Sequence, residues 1–162
     1  MAIRNIRVMG DPILEKKAKP IKEMNDKIKV LIEDMLDTMY EAFGVGLAAP
    51  QVGVLRRVVV IDVSAEGVEP LVLINPEILE TSGEQTGGEG CLSVPGKTGI
   101  VTRPNYAKVS ALNLDMEPFV EEGEGLLARA LCHEIDHLNG KLYVELVEGE
   151  LMDNEAMYEE EE

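Results

Sequence analysis

Apolar side chains recur at three- and four-residue intervals after Met24. Ile28, Leu31, Ile32, Met35, Leu36 and Met39 fall along one face of a helix. Asn25 suits its start, because a short amide side chain can accept from an early backbone N–H, and Gly44 suits its end. The methionines on this face read as core packing. The pattern then changes. Residues 56–63, RRVVVIDV, form a β-branched run too short for a helix, and LVLINPEIL reads as a second strand until Pro76 interrupts it. Over residues 99–115 apolar and polar positions alternate in the second half, which predicts another strand with Pro104 at a bend or edge. Helical spacing returns in GEGLLARALCHEIDHLNG, with Glu124 near the positive end of the dipole and Gly140 as terminator. Helix, antiparallel strands and helix in this order predict an α+β fold. Leu127, Leu131 and Leu138 make an apolar stripe on the second helix, so that helix is expected at the centre of the sheets, with the amphipathic helix near the N terminus.

Composition narrows the picture. With 162 residues, 45% of them hydrophobic, the chain can bury one core, so a single domain over residues 1–162 is expected. An acidic tail is expected from about residue 148, and its last part, MYEEEE, reads as a solvated end without function. Two cysteines do not make a disulfide framework, which points to a reducing compartment. No apolar run reaches the length of a signal peptide or a membrane span, so the expectation is a soluble, cytoplasmic protein with no membrane partner. The formal charge of −16 repels polyanions, and direct nucleic-acid binding is not expected.

The candidate chemistry is concentrated in LCHEIDHLNG, which holds both histidines of the chain. A helix advances about 100° per residue, so His133 and His137 lie about 40° apart and their rings can converge on one ion. Glu134, about 60° from His137, can reach a water on that ion without competing as a ligand, which is the logic of His-Glu-x-x-His. A catalytic tetrahedral site needs a third protein ligand and an open position. Cys132 points about 100° from His133 and about 140° from His137, so it reads as a buried apolar thiol. Asp136, also turned away from His133, reads as a residue steadying the helix or a ligand from outside. The third ligand has to come from elsewhere. GGEGCLSVPG presents Cys91 in a glycine-rich segment where a close approach is feasible, and its thiolate would complete a Cys, His, His set; a structural cysteine in a turn is the alternative. GVGLAAPQ, residues 44–51, reads by itself as a tight connection, and it lacks the Lys-Ser or Lys-Thr of a phosphate-binding loop.

Three stretches in register resemble the peptide deformylase family: GVGLAAPQ, Glu89-Gly90-Cys91-Leu92-Ser93, and His133 through His137. The similarity extends from RVMGDPIL to HLNGKLY. It implies a hydrolase that removes the formyl group from N-formylmethionyl peptides and nascent chains and releases formate. It also implies Cys91, His133 and His137 as ligands of one divalent ion, Fe2+ first, with Zn2+, Ni2+ and Co2+ accepted. By the same resemblance Glu134 is the general base and acid, and Gln51 with the Leu92 backbone N–H stabilises the oxyanion. Val45, Gly46 and Leu126 become pocket residues, and Glu89 pairs with Arg103 beneath the cysteine segment. Transient ribosome association is an expectation of the same kind. Two departures stand out: Arg129 occupies a position where relatives often carry an apolar pocket residue, implying a narrower pocket or a charged rim, and the C-terminal end is acidic where relatives often continue into a basic helix. A thermolysin-like peptidase, with Glu155 of Asn154-Glu155-Ala156 as third ligand, and a purely structural zinc site are the rival readings; the first leaves Cys91 and Gln51 unexplained, and the second lacks a fourth ligand.

Overall fold

The computed structural model describes residues 3–63 and 70–153. Helix α1, Asp26–Glu41, starts where the Asn25 side chain accepts from the Ile28 N–H at 2.9 Å. Its end differs from the expected glycine stop. Phe43 takes the left-handed conformation (φ 58°), and the Gly44 N–H then closes onto the Met39 carbonyl at 2.9 Å. Gly44 has a second role: a Cβ there would lie 2.6 Å from Leu92 Cδ1, so that side chain would have to shift.

Among the described residues eight strands follow in two antiparallel sheets. Five of them, β1 (Gly46–Ala48), β2 (Val58–Ile61), β3 (Leu71–Ser82), β6 (Tyr106–Leu112) and β7 (Pro118–Glu124), are ordered β1-β2-β3-β6-β7. The other three, β4 (Gln85–Cys91), β5 (Val94–Arg103) and β8 (Glu148–Asp153), are ordered β4-β5-β8. Helix α2, Leu126–Leu138, follows β7.

Strand β2 shows how the larger sheet is covered. Alternate residues point to opposite faces. Val58 and Val60 join the α1 residues Leu31, Met35 and Met39 in one core cluster, whereas Val59 and Ile61 join the α2 residues Ala128, Leu131 and Leu138 in another. The run VVVI is therefore uniformly apolar because both faces are buried. A third, smaller cluster, Val94, Val101 and Tyr143 with Val147 and Leu151 packed on it, belongs to the three-stranded sheet.

Three details depart from the expectations. Pro76 does not end its strand: β3 runs through it, with the register shifted between Ile74 and Glu77 and Asn75 left-handed (φ 51°). The Asn75 side chain compensates locally, accepting from the Ile21 N–H and donating to the Ile21 carbonyl, both at 2.8 Å. The expected strand across Pro104 is two strands, β5 and β6, in different sheets, so the proline sits where the chain changes sheet. The acidic segment from residue 148 is not all tail. Residues 148–153 form β8, paired with β5 and tied to it by a Lys97–Asp153 ion pair, while residues 154–162, MYEEEE included, lie outside the described residues.

Candidate metal centre

Glycine-rich GGEG lies in β4, and Cys91 and Val94 face each other across a tight turn, so Leu92 and Ser93 form the tip of a β4–β5 hairpin. The turn directs the Cys91 sulfur at helix α2. His133 and His137 lie one turn apart on the inner face of α2, 6% and 1% exposed, with ring centroids 4.9 Å apart. His133 Nε2 and His137 Nε2 are 3.2 Å apart, and Cys91 Sγ is 3.3 Å from His137 Nε2. Cys91, His133 and His137 each offer one ligand atom, and these atoms lie within 4.8 Å of one another. A tetrahedral cation with bonds of about 2.0–2.3 Å separates its ligand atoms by about 3.3–3.8 Å. The donor set therefore fits a single cation, and three ligands leave a position open.

The electrostatics favour the same arrangement. Glu89, 5% exposed, accepts from His133 Nδ1 at 2.7 Å, from Arg103 Nε at 3.1 Å and Nη2 at 2.7 Å, and from Arg129 Nη1 at 2.8 Å. Burial would raise its carboxyl, but the bonds from His133 and Arg103 outweigh it and bring Glu89 down to about 2. An ionised carboxylate only accepts, so His133 Nδ1 carries a proton toward Glu89 and Nε2 is the ring nitrogen left toward the ligand group. Burial opposes charge on both rings. In His133, Glu134, Cys91 and Glu89 overcome it and raise the pKa, whereas in His137 burial and the charge of His133 together lower it. At most one of two rings this close carries an extra proton.

Glu134 lies on the same face, 4% exposed, and its Oε1 is buried without a hydrogen-bond partner. Burial raises it to about 7, with the charge of His133 opposing and that of Glu89 adding. Gly46 makes room for it, since a Cβ there would lie 2.5 Å from Glu134 Oε2. Gln51 is buried and rigidly oriented: its Oε1 accepts from the Ala48 N–H at 2.9 Å, and its Nε2 donates to Ser93 Oγ at 3.0 Å and lies 3.6 Å from Cys91 Sγ. These groups border a cleft of about 450 Å3, with Val45, Gly46, Leu126 and Ala130 on one side and the β4–β5 hairpin, Leu92 included, on the other.

Most residues singled out in the sequence thus meet here. Asp136 stands one step back, its carboxylate accepting from Arg103 Nη1 at 2.8 Å. Cys132 is buried in the α2 core cluster, where burial raises its thiol, and it takes no part in the ligand group. Asn154, Glu155 and Ala156 of the rival reading lie outside the described residues. Arg129 differs from the expectation of a charged rim: its charge is buried against Glu89. Ser93 was not singled out. It is fully buried, accepts from Gln51 and donates its N–H to Cys91 Sγ at 3.4 Å; its place two residues after the cysteine in the same motif was the available signal.

An α+β domain in which a His-Glu-x-x-His helix faces a cysteine hairpin across a cleft defines a metal-dependent hydrolase. Comparison with known proteins specifies it. The polypeptide deformylase family matches residues 3–151. Peptide deformylase of Lachnoclostridium phytofermentans is 69% identical over 100% of this chain and 99% of its own length, and that of Agathobacter rectalis 63% identical over 94% and 95%. Among solved structures, the peptide deformylase of Legionella pneumophila superposes with a TM-score of 0.87 at 49% identity, covering 90% of this chain and 86% of that one. That of Thermotoga maritima gives 0.86 at 44%, covering 91% and 99%. The chain belongs to the polypeptide deformylase family.

Proposed function

We propose that this chain, as one catalytic domain over residues 1–162, removes formate from N-formylmethionyl peptides with Cys91, His133 and His137 holding a divalent cation and Glu134 moving the protons. One observation carries the assignment: the ligand atoms of the three residues converge beside a buried carboxylate with an orphaned oxygen, at the floor of an open cleft. A bound cation supplies Lewis acidity, polarising the formyl carbonyl and acidifying water.

The chain's own groups do the rest. Glu134 Oε1 takes the proton of the attacking water and returns it to the leaving amine. Gln51 is held by Ala48 and Ser93 with its second amide N–H on the Cys91 sulfur, at the ligand group, where it can donate to the carbonyl oxygen instead, and the Leu92 N–H at the hairpin tip is the second donor. Glu89 fixes His133 with its Nε2 free, and Arg103 and Asp136 steady Glu89. Val45, Gly46 and Leu126 receive the methionine side chain. Gly46 lies on β1 and Glu89 on β4, strands at the outer edges of their sheets, so an extended peptide can pair with main chain in the cleft and many sequences are accepted beyond the first residue.

The cation in this reading is Fe2+. A thiolate with two imidazoles also suits Zn2+, Co2+ and Ni2+, and an absorption-edge scan of protein purified without added metal identifies the element. The substrates are nascent chains, so the reaction belongs to the cytoplasm and to transient meetings with the ribosome; at a charge of −16, a protein contact there is favoured over RNA. Among the described residues no helix is long and apolar enough to cross a membrane.

Formate release from formyl-Met-Ala-Ser tests the roles. Glu134→Gln is expected to keep one metal per chain and lose about 100- to 10,000-fold in kcat, whereas Cys91→Ala loses the metal. A Glu134→Gln protein with unchanged kcat, or a Cys91→Ala protein with full metal content, overturns the assignment.

A further inference from the structure

RVMGDPIL, residues 7–14, shares in the family resemblance, yet none of its residues has a part in the reaction above. The stretch lies behind the site and not in the lining of the cleft. The Arg7 N–H donates to the Gln51 carbonyl at 2.6 Å, and two residues on the Met9 N–H donates to the Ser93 carbonyl at 2.7 Å. Gln51 lies in a short 3-10 helix, Ala49–Val52, where backbone carbonyls run out of partners, and Ser93 lies in the turn of the β4–β5 hairpin. One short piece of main chain therefore bridges two elements that reach the site from different parts of the sequence. The Gln51 amide closes the ring from the inside, donating to Ser93 Oγ at 3.0 Å.

The bridge is stiff. The Asp11 N–H donates to the Val8 carbonyl at 3.0 Å and Gly10 has a φ of 106°, so residues 8–11 form a type II turn with Met9 at its second position. The bond that closes this turn does not use the Met9 N–H, which is left for Ser93. The Asp11 carboxylate accepts from Arg7 Nη1 at 3.1 Å and from the Ile13 N–H at 3.0 Å, and buried Leu14 anchors the stretch in the core. Both oxyanion donors depend on what this bridge holds: Gln51 carries one in its amide, and Leu92, next to Ser93, carries the other in its N–H. Such donors act only when each stands about 2.7–3.1 Å from the developing charge.

We infer that Arg7 and Met9 are positioning residues, whose two main-chain donors clamp Gln51 to the cysteine hairpin and so fix the spacing of the two oxyanion donors. The inference rests on the reaction proposed above and deepens it. It assigns the N-terminal stretch a share in the rate although it touches neither peptide nor metal ligand.

The test uses the full chain with Met9→Pro, Met9→Ala and Gly10→Ala. Proline is favoured at the second position of a type II turn, so Met9→Pro keeps the turn and removes one donor. Met9→Ala keeps the donor and loses only a half-exposed side chain. Gly10→Ala strains the turn through φ alone, since its Cβ would meet nothing within 4 Å. Formate release from formyl-Met-Ala-Ser is measured on nickel-loaded protein, and the Gln51 side-chain amide signals are followed by NMR in zinc-loaded protein. In Met9→Pro we expect kcat to fall about 10- to 100-fold with KM within about twofold, the scale of a misplaced donor, and the Gln51 signals to shift. Metal content stays at one per chain. Met9→Ala restores both readouts, and Gly10→Ala gives a smaller loss of the same kind, which decides the matter if Met9→Pro does not fold. Equal kcat in Met9→Pro and Met9→Ala, a change confined to KM, or loss of metal from Met9→Pro overturns the inference. Wild-type protein that holds nickel but releases no formate refutes the proposed reaction, while Gln51 signals that move in Met9→Pro and not in Met9→Ala still uphold the clamp.

Discussion

Glu89 accepts four hydrogen bonds from three residues on one buried carboxylate, and two of those residues are arginines. Removing it leaves the buried Arg129 with no carboxylate and the buried Arg103 with Asp136 alone. Glu89→Ala is therefore expected to lower stability by roughly 3–5 kcal/mol in urea unfolding, far more than an exposed ion pair such as Arg7–Asp11 could contribute. The pH dependence follows from the direction of the shift. Glu89 is held at about 2, below its ordinary 4.5, so its contribution is complete above pH 4.5 and disappears as the pH falls through that window toward 2. Glu89→Gln should flatten the melting temperature against pH over this range; a curve as steep as that of the wild-type protein would refute the coupling. At this scale the sequence was partly legible. The helix period alone directs His133, His137 and Glu134 to one side, and it also turns Cys132 away. It could not show that Arg129 shares Glu89 with Arg103, because that bond joins residues 40 positions apart.

Helix α1 was legible from its apolar face and its cap. Asn25→Ala is expected to cost about 1 kcal/mol, read by urea unfolding, since the Ile28 N–H loses its acceptor. Its other end was misread, because a left-handed residue is normally glycine and here it is Phe43, with its ring 94% exposed at the edge of the cleft. Phe43→Gly should stabilise the protein by roughly 0.5–1 kcal/mol by relieving this conformation; equal or lower stability would show that the ring contributes packing that outweighs the strain. Pro76 was misread for a related reason. A proline removes a ladder donor, which usually ends a strand, but the register shift beside it and the Asn75–Ile21 bonds absorb the defect. Strand β7, PFVEEGE, carries glutamates on its exposed face and offered too few apolar positions for an alternation to be noticed.

The candidate metal centre joins the two sheets. Cys91 arrives on the three-stranded sheet, and His133 and His137 arrive on a helix packed against the five-stranded sheet. A cation binding all three acts as a clasp present only in the folded chain, so stability should depend on its concentration. At a thousandfold excess of metal over its Kd the gain is about 4 kcal/mol, and a chelator should lower Tm accordingly. Cys91→Ala protein should melt at the same temperature with and without chelator. An equal response in both proteins would place the cation elsewhere.

By itself the sequence determined what local geometry can fix: two helices from their period, the apolar strands from β-branched runs, and a histidine pair with a carboxylate in reach. Resemblance supplied the cysteine and the glutamine. Only the tertiary structure decided which strands share a sheet, how Ser93 locks Gln51, and that the Arg129 charge is buried against Glu89. Those features depend on hydrogen bonds and burial between residues far apart in the chain, which become determinate only when the whole core closes and every buried polar group has to find its partner.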